Sequence, residues 1–216
     1  MTPILPSRFA RAEKISDAVV HLVAIALAVA AVPILIWLGV ARRGDWVSVT
    51  GVSIYGATLI TMLTASAIYN MTKGGPRSPI YKRIDHSAIY LKIAGTYTPL
   101  VALTGGGGLP LLAALWGAAL GGSSLKIAAP DRLRWLGLAL YLVMGWWVVV
   151  AGWDVLDALT PVGFWLIFAG GALYTFGVPF YLWDRLPFHT AIWHGFVVVA
   201  TALIYAAILI EVIRTV

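Results

Sequence analysis

The stretch KRIDHSAIYLKIAGTYTPL, Lys82 to Leu100, places an aspartate, a histidine and a lysine inside an otherwise apolar run. An ionisable side chain at membrane depth costs about 2.5 to 3.5 kcal/mol on insertion scales, so it normally faces a bundle interior and marks a site or a pathway. Asp85, His86 and Lys92 are therefore the first candidates, with Lys92 on the Asp85 face of a helix and two turns deeper, roughly 10 Å at 1.5 Å per residue. Other polar residues fall on helical stripes: Glu13, Asp17 and His21 recur every four residues, Ser66 and Asn70 share a face, and Thr190 and His194 share another that Thr201 and Tyr205 continue. Such a set can bind a polar headgroup or pass ions or protons. Singly, each has a plainer reading. Glu13 and Asp85 suit the acidic first turn of a helix, Asp17 and His21 a local pair, Lys92 a side chain that snorkels to the interface, His86 an interface, His189 a loop, and His194 an interhelical hydrogen bond. Their joint depth is the stronger signal.

The elements that must position them are membrane helices. Of the residues, 61% are hydrophobic and 11% charged, with a mean hydropathy of +0.90, against about 25% charged in soluble domains. Without cysteine, neither disulfides nor thiolate ligands are available. Apolar runs of spanning length lie at Ser16 to Val40, Val47 to Met71, Ala88 to Thr104, Leu109 to Leu125, Leu136 to Trp153, Pro161 to Tyr181 and Ala191 to Ile213. The expectation is an all-α, polytopic seven-transmembrane helix bundle forming one integral membrane domain over residues 1–216, without internal repeat or soluble domain. Gly105 to Gly108 reads as a tight turn between the third and fourth spans. Trp46, Trp135, Trp153 and Trp183 fall near span ends, where indoles favour the headgroup region. The first span reads as a retained helix rather than a cleaved leader, because its apolar run continues past Ala30 to Val40.

Basic residues set the orientation. Arg8, Arg11 and Lys14 precede the first span; Lys73, Arg77, Lys82 and Arg83 occupy the second loop; Lys126, Arg132, Arg134 and Arg185 fall in the fourth and sixth. Only Arg42, Arg43 and Arg214 flank the other side, so eleven against three puts the N-terminus in the cytoplasm and the C-terminus outside. All the stripes above then gather in the cytoplasmic leaflet; the opposite half offers only Asp154 and Asp157 in the fifth loop. The net charge of +6 is mostly this topology signal, and its spread over short loops argues against nucleic-acid binding. Membrane lipids are the expected partners.

IDHSAIYLKIAGTYTP from Ile84 to Pro99, the Ser66 to Asn70 element, GGALYTFGVPFY from Gly170 to Tyr181, AIWHGFVVVA from Ala191 to Ala200, and Glu13 through His21 are similar to the hemolysin III family. That family is grouped with the progestin and adipoQ receptors, which include the adiponectin receptors. The resemblance spans nearly the whole chain and implies a seven-helix membrane protein with a zinc site near the cytoplasmic leaflet. The family pattern places Ser66, Asp85 and His194 in that site, but puts histidines where this chain has Asn70 and Thr190. Amide and hydroxyl oxygens are poor replacements for imidazole on zinc. His189 is one residue out of register with the missing ligand, and His21 is a second potential donor.

With zinc bound, the resemblance implies a ceramidase-like lipid amide or ester hydrolase at the cell membrane, with Asp85 as base or water-orienting group and Ser66 polarising or positioning the carbonyl. The alternative is a metal-free membrane protein in which Asp85, Lys92, His21 and His194 form a network for lipid sensing or for ion or proton transfer. Membrane permeabilisation (cytolysis) is the third form of that alternative, although a constitutive pore needs a polar path through both leaflets.

Overall fold

The computed structural model describes residues 7–105, 108–128 and 134–214, and every regular element among them is helical. Eight α-helices follow in order: α1 (Ser7–Leu38), α2 (Trp46–Met71), α3 (Ser78–Leu103), α4 (Leu109–Ala128), α5 (Arg134–Ala151), α6 (Trp153–Asp157), α7 (Pro161–Leu182) and α8 (His189–Ile213). Seven are long and sit on the seven apolar runs; the eighth, α6, is a short helix that takes up Asp154 and Asp157 in what reads from sequence as a loop. Helices α1, α2, α4, α7 and α8 are long and apolar enough to cross a membrane. Helix α3 is long but carries the polar segment, and α5 is shorter. Gly106, Gly107 and Arg132 lie outside the described residues.

Local chemistry sets the helix ends. Helix α1 runs through Pro33 into a π-turn, Gly39–Arg43, which Gly44 stops in the left-handed region (φ 68°), its N–H returning to the Gly39 carbonyl. Asp45 then accepts from the Ser48 N–H at 2.8 Å and caps α2. Thr160 caps α7 in the same way, with Pro161 in the first turn.

Close approach of backbones follows from small residues. A Cβ on Gly95 of α3 would collide with Thr58 of α2, and one on Gly56 of α2 would collide with Val32 of α1. Helix α5 is pinned to α3 by tyrosine hydroxyls on backbone carbonyls: Tyr90 to Gly137 (3.2 Å), Tyr97 to Gly145 (2.5 Å) and, in reverse, Tyr141 to His86 (2.7 Å). The core runs through Leu35, Tyr55, Leu59, Tyr90, Leu100 and Ile208. Large apolar side chains such as Leu22, Val150 and Phe176 point outward, as they must when the solvent is hydrocarbon. Trp46, Trp135, Trp153 and Trp183 are exposed at helix ends, in keeping with the interfacial reading. Lys126, which reads as a loop charge, is instead 3% exposed in the last turn of α4.

Candidate functional site

Four helix ends converge at one pole of the bundle. Helix α1 contributes Asp17 and His21 one turn apart, α2 contributes Ser66 and Asn70 from its last turns, α3 contributes Asp85, and α8 contributes His194. Asp17, His21, Ser66 and Asp85 are buried, and His194 and Asn70 half-buried.

The two imidazoles are held in the same way. His21 Nδ1 lies 2.9 Å from the Asp17 carbonyl oxygen, which can only accept, so this nitrogen carries the hydrogen. His194 Nδ1 lies 2.6 Å from Asp17 Oδ1, a charge-assisted contact that places its hydrogen likewise. Both Nε2 atoms are then lone-pair donors, and both face one hydroxyl: Ser66 Oγ is 3.2 Å from His21 Nε2 and 3.4 Å from His194 Nε2. The rings meet edge to face with centroids 4.2 Å apart. Asp85 completes the group, with Ser66, His194 and Asp17 as its electrostatic neighbours.

A buried Asp17, His21 and His194 group of this kind can bind a metal, since ligand atoms of the three lie within 4.8 Å of one another. The donor set fits zinc, which takes imidazole nitrogen and carboxylate oxygen. The Asn70 amide nitrogen donates to the Ser66 carbonyl (3.0 Å) and hydroxyl (3.4 Å) at the edge of that set. His189 and Thr190 contact each other at 3.3 Å and line the same cavity, apart from the cluster. Glu13, half-buried one turn before Asp17, makes none of these contacts, and His86 is likewise outside the cluster. Lys92 is 5% exposed and donates to the Tyr174 hydroxyl at 2.7 Å.

Behind the cluster is a cavity of about 440 Å³, lined by His21, Ser66, Asp85, Lys92 and His194 and by apolar side chains of α2, α3, α5, α7 and α8. Its size is in the range of small-molecule sites.

Sequence reasoning passes over Glu211. This acid is 2% exposed at the other pole, where it accepts from the Thr160 N–H (2.8 Å) and hydroxyl (2.6 Å) and approaches Arg214 at 3.5 Å, while Arg43 bonds its backbone carbonyl at 2.6 Å. The rule that picks out Asp85, an acid in an apolar helix, picks out Glu211 equally.

Long apolar helices enclosing a carboxylate, imidazole and hydroxyl cluster define a multi-pass membrane protein with a polar site at one pole. Within that class, the model of the family described as Haemolysin-III related matches residues 9–205, and the chain belongs to that family. It is 36% identical over 204 residues to the Hemolysin-3 homolog of Bacillus subtilis (strain 168), covering 94% of this chain and 95% of the relative. Hemolysin-3 of Bacillus cereus is 37% identical over 205 residues, covering 94% and 93%. The human Monocyte to macrophage differentiation factor is 30% identical over 165 residues, covering 72% and 67%, which extends the relationship to the progestin and adipoQ receptor group.

Proposed function

We propose that this protein is a zinc-dependent hydrolase of lipid amide or ester bonds, ceramide-type amides included, working from the cytoplasmic leaflet. All seven long helices cross the membrane in this reading, as a single domain with the N-terminus cytoplasmic and the C-terminus outside. One observation carries it: two imidazole Nε2 atoms, with their Nδ1 positions already engaged, converge on Ser66 Oγ beside the Asp85 carboxylate. The orientation of both rings by hydrogen bonds at Nδ1 is the outer-shell arrangement of histidines that ligate zinc.

His21 and His194 would hold the ion through Nε2, with Asp17 fixing both rings from behind, at Nδ1. Zinc held there would supply a Lewis acid and would bring the pKa of a bound water near neutrality. Asp85 would take the proton of the attacking water and return it to the leaving amine or alcohol as the C–N or C–O bond breaks, while the Ser66 hydroxyl donates to the substrate carbonyl oxygen. The apolar cavity wall receives the acyl chain and keeps bulk water out. Purified protein loaded with zinc should hydrolyse a fluorescent short-chain ceramide or an ester analogue, and Asp85→Asn should reduce the rate at least about 100-fold. Absence of product from both substrate classes by zinc-replete wild type would sink this reading.

A second reading rests on the closure of the same contacts. Asp17, His194, Ser66 and His21 form a closed ring of contacts; with one imidazole protonated at both nitrogens, that ring donates to Ser66 Oγ, whose own hydrogen goes to the other Nε2, and no ligand is needed, as a metal-free lipid sensor or proton-transfer protein would require. Zinc analysis of the purified chain separates the two: about one ion per chain, lost in His194→Ala, favours the hydrolase. Relatives named hemolysins make cytolysis the remaining variant, tested by dye release from liposomes.

A further inference from the structure

The deepest charge in the cavity is not used by the chemistry above. Lys92 lies seven residues beyond Asp85 on α3, roughly 10 Å further into the bundle at 1.5 Å per residue. Its side chain is 5% exposed, too buried to reach the headgroup region by snorkelling. Among the described residues no carboxylate forms an ion pair with it. Its partners are the Tyr174 hydroxyl at 2.7 Å and the face of the same ring at 4.5 Å. An ammonium carries three donors, and one is accounted for. A buried cation left in this condition is penalised heavily unless something completes its pairing.

The surroundings are short of acceptors as well. Tyr174 shares a hydrogen bond with Thr201 at 2.6 Å, so that hydroxyl pair is already committed. Tyr55, fully buried and within electrostatic reach of Tyr174, has a hydroxyl with no hydrogen-bond partner. The Lys92 ammonium thus keeps donors unmatched deep in the bundle, and the Tyr55 hydroxyl is unmatched as well. Lys92 and Tyr174 both line the 440 Å³ cavity, whose wall carries four lysines, Lys73, Lys82, Lys92 and Lys126, against two aspartates, Asp85 and Asp184. The rest of that wall is mostly apolar, with Ile89, Ile93, Leu138, Leu142, Ile167 and Val178 among it.

We infer that Lys92 and Tyr174 form an oxyanion subsite, and that the cavity takes a single-chain amphiphile whose carboxylate or phosphate monoester sits on the Lys92 ammonium. A two-oxygen acceptor supplies what the ammonium lacks, and the chain occupies the apolar wall. The subsite is separate from the zinc ligands and does not depend on hydrolysis, so it stands or falls independently of the function proposed above.

The test is equilibrium binding of tritiated dodecanoate to the full chain in nanodiscs of zwitterionic lipid, by scintillation proximity, with chelator present. Unlabelled dodecanoate or dodecyl phosphate should compete at least tenfold better than neutral dodecanol; which of the two anions competes better identifies the head. Lys92→Met should weaken binding at least tenfold, and Lys92→Arg, which keeps the charge, should retain most of it. Equal competition by dodecanol, or unchanged binding in folded Lys92→Met, overturns the subsite. If Lys92→Met does not fold, the dodecanol comparison on wild type and the Lys92→Arg result still decide.

Discussion

His194 Nδ1 lies 2.6 Å from Asp17 Oδ1 across the junction of α8 and α1, while the backbone carbonyl of the same Asp17 takes the Nδ1 of His21 at 2.9 Å. One residue thus sets the hydrogen position of both imidazoles, through its side chain for one and its main chain for the other. The result is a pair of Nε2 lone pairs aimed at a single point near Ser66.

If the site holds zinc as proposed, removing the side-chain half of that arrangement should weaken zinc binding without abolishing it. Asp17→Ala is expected to lower zinc affinity about 10- to 100-fold, the usual effect of losing a histidine's outer partner. His21 keeps its bond to the main chain, so the loss should remain smaller than that in Asp17→Ala/His21→Ala. Competition titration against a zinc chelator measures both; an Asp17→Ala affinity equal to wild type would remove Asp17 from the site.

At the opposite pole, Glu211→Ala should destabilise the protein by about 2 to 4 kcal/mol, because the Thr160 N–H and hydroxyl lose their buried acceptor and a cavity opens. Glu211→Gln retains one acceptor oxygen and should cost less than half as much. Unfolding curves in detergent would reveal the difference, and equal curves for wild type and Glu211→Ala would show that this contact carries no stability.

The α2 to α3 approach gives a packing prediction. A methyl at Gly95 meets Thr58 Cβ at 2.9 Å and Cγ2 at 3.0 Å, besides the hydroxyl, so Gly95→Ala should cost about 1 to 3 kcal/mol through overpacking. Thr58→Ala relieves part of the collision, and the double mutant should show a coupling of at least about 0.5 kcal/mol. Additive losses would mean that the two helices separate freely at this level.

Asp45 supplies a pH-dependent term outside the spans. Hydrogen bonds from Ser48, main chain first and side chain second, hold its carboxyl below the ordinary 3.8. A group with a depressed folded value stabilises the fold above its unfolded value, and that contribution is lost as pH falls through the folded one. Asp45→Ala should therefore cost about 0.5 to 1 kcal/mol near neutrality, as an exposed helix cap does. The gap from wild type should narrow below pH 3.8 and disappear once the carboxyl is protonated. Thermal unfolding of both proteins at neutral and acid pH checks the sign; a gap that widens in acid would contradict it.

The placement of helices was legible in the sequence because membrane insertion depends on local composition: each span needs a run of apolar residues long enough for the bilayer, and such a run is a property of adjacent residues. The gathering of Asp85, Ser66 and His194 at one pole was legible for the same reason, since position along a helix follows from the local sequence. Azimuth and partner were not, because they depend on how helices far apart in sequence pack. Asp17 and His21 read from sequence as a local pair four residues apart and are one, but the fold also makes Asp17 a partner of His194, 177 residues away. Asn70 shares a helix face with Ser66 in the sequence, and only the fold shows its amide donating to that residue. Lys126 read as a solvated loop charge and is buried beside Gly137, where the missing side chain leaves room for it. Glu211 was legible as an acid in an apolar helix, but its partners Thr160 and Arg43 lie on distant segments and were not. Hydrophobic length and charge bias are additive along the chain and can be read there; the partner of a buried polar group is decided by the tertiary structure, because burial penalises every unsatisfied donor or acceptor until some distant segment supplies its complement.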